Sequence, residues 1–158
     1  MQFKVEHRVG VPTNAKAIWD VLSDLRRWPE WNSVYPEIHG LLRIQQKLSI
    51  KEAFPGRPPR AIQPMVFDWV PNTQIIWVHS EMFGLVKRIR YIEIEALNEE
   101  GANCILSNGE IYQGPLGAAV FKARRKWLKR GFEQLNNDIV ARLEKVAAGL
   151  ATAQGDRG

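Results

Sequence analysis

The chain has 158 residues, of which 45% are hydrophobic and 25% charged, and its formal net charge is +5. That size suits one domain with a core that needs no disulfide or metal staple, and the composition excludes an intrinsically disordered chain. Cys104 is the single cysteine, which excludes an intrachain disulfide and a cysteine-built zinc site.

No run approaches the length of a membrane-spanning helix, and the N-terminus interleaves charges with apolar residues rather than forming a signal-peptide block. The expectation is a soluble, cytoplasmic protein. Residues 3–11, FKVEHRVGV, place Phe3, Val5, His7, Val9 and Val11 on one face and Lys4, Glu6 and Arg8 on the other. Period two predicts a strand with one buried side. Pro12 ends it, and Thr13 or Asn14 can cap the next helix. Ile18, Val21, Leu22 and Leu25 then form one apolar stripe. Pro29 stops that helix but suits the first turn of another, so PEWN reads as a second short helix, closed off by Pro36. Trp19, Trp28 and Trp31 crowd into this segment. Trp19 and Trp31 are candidates for packing, and Trp28, beside Pro29, for a movable ring at an entrance.

From Ile38 to Gly114 the chain reads as successive strands. LLRIQQKLSIKEAF, residues 41–54, is a pair of strands or one long strand, and His39 before it falls in a turn. GRPPR is a turn rich in chain breakers. AIQPMVFDWV follows, and Pro64 inside it calls for an edge position or a bulge. PNT turns into the strand QIIWVHS, and EMFGL is a loop. VKRIRYIEIEAL alternates, with Ile92 and Ile94 opposite Glu93 and Glu95. NEEGAN is a hairpin turn and CILSNGEIYQG the last strand. Short turns between consecutive strands imply an antiparallel sheet.

A long helix is predicted over residues 117–149. Leu116, Val120, Ala123, Trp127, Leu128, Leu135, Ile139, Leu143 and Val146 make a nearly continuous stripe that must bury against the sheet. Residues 150–158 read as a disordered tail, so the expected organisation is one domain over 1–149.

Two stretches carry a family resemblance. IWDVLSDLRRWPEWN matches a helix pattern followed by paired tryptophans, and RGFEQLNNDIVARLE matches a C-terminal helix. GEIYQG is a weaker third. On these and on element order, residues 1–149 resemble the START-like, or SRPBCC, superfamily, which includes polyketide cyclase/dehydrase and lipid-transport type proteins. The resemblance implies an α+β helix-grip fold. In it a seven-stranded curved antiparallel sheet wraps around the C-terminal helix, with two short helices between strands 1 and 2 and a ligand cavity between sheet and helix. The GRPPRAIQP hairpin departs from the pattern in its proline and arginine content, where it could alter the mouth of that cavity.

Strand phase supplies the polar candidates. The phase of Ile92 and Ile94 carries Arg90 and Arg88 inward, and that of Ile75 and Trp77 carries His79 inward. His7 comes from the first strand, and the family match adds Glu110 and Tyr112. Buried charges must be paired, and Arg90 and Glu110 lie on adjacent strands, so an ion pair between them is expected. Candidate ligand-binding residues are Trp28, Trp31, Trp77, His79, Arg90, Glu110, Tyr112, Val120 and Trp127. No metal-ligand spacing and no phosphate loop appears, so neither metal nor cofactor is expected. Cys104 has no basic neighbour in sequence and reads as inert.

Three functions follow. The first is binding of a hydrophobic or aromatic small molecule (lipid, polyketide or quinone-like), as carrier or sensor. The second is a cofactor-free polyketide cyclase/dehydratase, in which Arg90 polarises a carbonyl and His79 or Glu110 moves a proton. The third is a protein-interaction or chaperone-activator module using the basic cluster KARRKWLKR. That cluster reads first as a solvated helix face. No nucleic acid partner is expected. Lys122, Arg124, Arg125 and Lys126 would permit transient contact with a membrane surface, and the expected state is a monomer or weak homodimer.

Overall fold

The computed structural model describes residues 3–98 and 101–155, with side chains as far as residue 150. The alternating N-terminal residues form β1, Phe3–Val11. Asn14 caps α1, Ala15–Ser23, by accepting from the Ala17 amide at 2.8 Å. The second short helix starts earlier than expected. It is a 3-10 helix over Leu25–Glu30, and Pro29 lies inside it rather than at its first turn. Leu25 and Trp28 are buried there, so the apolar residues before Pro29 drive the turn onto the core.

The sheet divides where a single seven-stranded one was expected. β2 (Glu37–His39), β3 (Ser49–Glu52) and β4 (Arg60–Ile62) form a three-stranded sheet in that order. β5 (Met65–Val70), β6 (Gln74–Glu81), β7 (Val86–Ala96) and β8 (Cys104–Gln113) join β1 in a five-stranded sheet ordered β1-β8-β7-β6-β5. All pairings are antiparallel. Only Gln63 and Pro64 separate β4 from β5. Proline has no amide to donate, so one run of chain changes sheets at Pro64, and a register shift follows between Val66 and Asp68. The seam is held by Leu48 N to Pro64 O (2.9 Å), Gln45 N to Val66 O (2.8 Å) and Val66 N to Gln46 O (2.9 Å). Of the expected strand over 41–54, only Ser49–Glu52 pairs as a strand, and His39 ends β2 rather than lying in a turn. The turn expected at 98–103 falls in part on Glu99 and Glu100, outside the described residues.

α2 runs Gly117–Gly155, beyond the point where fraying was expected. The remainder of the expected tail lies outside the described residues. Leu128, Phe132, Leu135 and Ile139 are fully buried against the sheet. The second short helix and the turn after it are tied to α2: Asp138 accepts from the amide and hydroxyl of Ser33, and Arg142 reaches Glu30 at 2.8 Å. Gly131 faces the Phe54 ring so closely that a Cβ there would collide with it. Of the C-terminal motif, therefore, one residue is absent of side chain so that an aromatic ring can lie against the helix. Among the described residues, no helix is long and apolar enough to cross a membrane.

Candidate functional site

The interior between sheets and helix is filled by aromatic rings in sequence. Trp31 packs on Trp28 (5.8 Å between ring centroids), Trp28 on Tyr35 and Trp77, Tyr35 on Phe54 (6.1 Å), and Phe54 on Phe132 and Trp127 (5.3 Å). Each such pair adds about 1 kcal/mol beyond its buried area. Trp28, expected as a movable ring at an entrance, is instead wholly enclosed, and its Nε1 donates to Leu22 O at 3.0 Å. Trp77 is likewise inside the cluster. Trp31 faces a separate concavity of about 640 Å³ between α1 and the far end of α2. Val120 is half-buried against the core.

Arg90 sits at the centre of this cluster, 1% exposed. Its guanidinium carbon lies 4.5 Å from the Phe132 ring centroid and 5.6 Å from those of Tyr35 and Trp77. Nε donates to the Tyr35 hydroxyl (2.9 Å), one terminal nitrogen to Asn108 Oδ1 (2.7 Å), and the other to the carbonyls of Gly109 and Tyr91. Carbonyl oxygens and ring faces thus compensate the charge, where a carboxylate was expected. Burial pushes the Tyr35 hydroxyl up to about 12, so it stays protonated. Asn108 passes the network on: its amide donates to Asn136 Oδ1, and Asn136 on α2 meets the ring and carbonyl of His7.

The expected Arg90–Glu110 pair is replaced by another. The two residues are direct cross-strand partners, yet both Glu110 oxygens take hydrogen bonds from Arg88 at 3.0 Å. Arg88 also donates to Glu52 (2.7 and 3.1 Å) and to Glu81 Oε1 (2.9 Å), so its five N–H groups are all engaged. Glu81 in turn meets Arg60 (2.8 Å) and Arg124 (2.9 Å). Burial alone would raise the Glu81 carboxyl. The hydrogen bond from Arg124 and the charges of Arg88, Arg124 and Arg60 outweigh it and hold the group at about 2. The surrounding carboxylates lift Arg88 well above its ordinary value despite burial.

His79 is half-buried on β6 with Nε2 3.8 Å from Glu81 Oε1. Burial and the neighbouring Arg88 lower its pKa, which leaves it neutral at pH 7. Tyr112 is buried, its ring 6.0 Å from Phe121 and its hydroxyl within reach of Arg124. The Glu110, Arg90 and His79 trio is therefore not brought to one surface: Arg90 and Glu110 are enclosed in separate networks, and His79 borders that of Glu110 through Glu81. Arg124, expected on the basic face with Lys122, Arg125 and Lys126, turns inward to Glu81, while the other three are exposed.

Where the ring cluster ends, a cavity of about 300 Å³ opens between the β3–β4 hairpin and the start of α2. Phe54, Trp127, Pro58 and Pro59 give it apolar walls, and Arg57, Arg60, Arg88, Arg124 and Glu52 its polar ones. The Arg57 guanidinium lies over the Trp127 ring at 5.1 Å. Strand phase already pointed to two residues near this cavity that the sequence reading did not single out. Glu52 alternates with Ile50 and Phe54, and Glu81 with Trp77 and His79. Arg124 falls between Val120 and Trp127 at helical spacing. Among the described residues, no group of His, Cys, Asp and Glu is arranged to hold a metal.

No protein-family model matches the chain, and no curated protein matches it by sequence. Solved structures do match it. A START superfamily protein from Mycobacterium smegmatis is 19% identical, with 92% of this chain and 99% of that one covered at a TM-score of 0.69. The Zhui aromatase/cyclase from Streptomyces sp. R1128 is 16% identical, with 92% and 95% covered at 0.70. A norcoclaurine synthase from Thalictrum flavum is 14% identical, with 93% and 97% covered at 0.68. The chain has a START-like fold, with a long C-terminal helix packed on antiparallel sheet in the helix-grip manner.

Proposed function

We propose that the protein binds a hydrophobic or aromatic small molecule in the cavity between sheets and α2, as a carrier or sensor. The observation that carries this reading is the 300 Å³ cavity, in which Phe54 and Trp127 meet polar groups already fixed in place. Ligand sites are concavities of this kind, apolar with a few placed polar groups. Neighbours named as an aromatase/cyclase and a norcoclaurine synthase support the reading only through shared fold. Of the residues proposed from sequence to touch ligand, Trp127 is the one on the cavity wall. Phe54, Arg57 and Arg60 join it.

The cyclase alternative has less geometric support. Arg88 occupies both oxygens of Glu110, and Arg90 lies beneath three rings. The exposed Lys122, Arg125 and Lys126 keep a transient contact with an anionic membrane surface, or with an acidic protein partner, within the same proposal. The test is mass spectrometry of the denatured purified protein, alongside Trp127→Ala. A small molecule retained by the native sequence and lost from the variant supports the cavity. Equal retention in both would place the ligand elsewhere, and the reading would fall.

A further inference from the structure

The cavity has one arginine more than its carboxylates can use. Three carboxylates, Glu52, Glu81 and Glu110, face three arginines, Arg60, Arg88 and Arg124, through ion pairs of 2.7 to 3.0 Å. Arg88 has no N–H left to offer. The fourth arginine, Arg57, pairs with none of these carboxylates, and its guanidinium carbon lies 5.1 Å from the Trp127 ring centroid. Its position is set by its neighbours: Arg57 N donates to Phe54 O at 3.0 Å in a turn through Gly56 at φ +75°, and Pro55, Pro58 and Pro59 flank it. Proline limits the conformations that such a hairpin would otherwise sample, so Arg57 is presented with little ordering left to do on binding.

Resting on the cavity reading above, we propose that the occupant is a planar aromatic monoanion, an aromatic carboxylic acid. Its ring lies against Phe54 and Trp127, and its carboxylate meets Arg57. A guanidinium offers two parallel donors that match two carboxylate oxygens. One unmatched positive charge calls for one negative charge. A cation would meet the one arginine that no carboxylate offsets, and a neutral molecule would gain no charge-assisted hydrogen bond from Arg57. The volume is at the low end for ligand sites. It suits one or two fused rings and excludes a long acyl chain.

The experiment is isothermal titration with 2-naphthoate and 2-naphthamide, which share a ring and differ in charge. The native protein binds the acid about tenfold more tightly than the amide, the scale of one charge-assisted hydrogen-bond pair. Arg57→Gln brings the two probes to the same affinity. Because Arg57 is exposed on a hairpin, thermal unfolding of the variant stays at the native midpoint. Equal binding of both probes by the native protein overturns the charge assignment and leaves the cavity reading standing. A preference that persists in Arg57→Gln overturns it as well, by assigning the anion to another arginine. Binding of neither probe overturns this inference together with the reading on which it rests.

Discussion

Replacing Glu81 by glutamine tests the charge that joins β4, β6, β7 and α2. The carboxylate sits at about 2, against an ordinary value of 4.5. Its side chain is 3% exposed, so solvent screening takes little from the interaction. A folded-state pKa below the unfolded value stabilises the protein above the unfolded pKa, and that contribution is lost as pH falls through the folded one. The difference corresponds to about 3 kcal/mol at pH 7. At pH 3, between the two values, about 1 kcal/mol remains. Glutamine keeps the shape and one acceptor but not the charge. Urea unfolding at both pH values should therefore show a loss of about 3 kcal/mol for Glu81→Gln at pH 7 that shrinks to about 1 kcal/mol at pH 3. A loss of the same size at both would mean that the three arginines contribute packing rather than charge, and the account of the cluster would be refuted.

Three further substitutions probe the interior. Trp28→Ala should cost about 3–5 kcal/mol in chemical denaturation while leaving the cavity at Trp127 able to bind, since Trp28 forms none of its wall. A larger effect on binding than on stability would restore Trp28 as an entrance residue. Asn136→Ala breaks the link from Asn108 to His7 and leaves the buried Asn108 amide nitrogen without its acceptor, a cost of about 1–3 kcal/mol; an unchanged urea midpoint would show that water replaces the amide. Gly131→Ala gains about 1 kcal/mol of helix propensity but drives a methyl into the Phe54 ring. Net destabilisation with a changed Trp127 fluorescence spectrum is expected, and a stabilised protein with an unchanged spectrum would show that Phe54 has room to move.

The order of elements was legible because period two and the helical stripe each record which side of an element is dry. The same phase marked Arg88 and Arg90 as inward, the family resemblance added Glu110 and Tyr112, and all four are buried. Which arginine meets Glu110 was not legible. Phase assigns both to one face, and the choice depends on where long side chains can reach among rings brought in from Tyr35 and Phe132. The division of the sheet was legible only in part. Pro64 signals a break, but whether a break becomes a bulge or a change of sheet is set by what pairs with residues 45–48. Arg124 was placed with the basic face because its neighbours in sequence are basic; its inward turn depends on Glu81, at the far end of another strand.

The placement of β8 between β7 and β1 has a consequence for how the protein is made. β1 has one sheet partner, and in its register Val5 faces Glu110, so the first strand synthesised waits for about 100 residues before it can pair. Closing so long a loop slows folding, and strands that await distant partners are exposed to mispairing. During that wait, Arg88 has Glu81 and Glu52 available but not Glu110, and the edge of β7 is bare. Emergence of Cys104–Gln113 from the ribosome closes the sheet edge and completes the arginine's counterions in one step. The residues that neutralise the interior therefore also time its assembly.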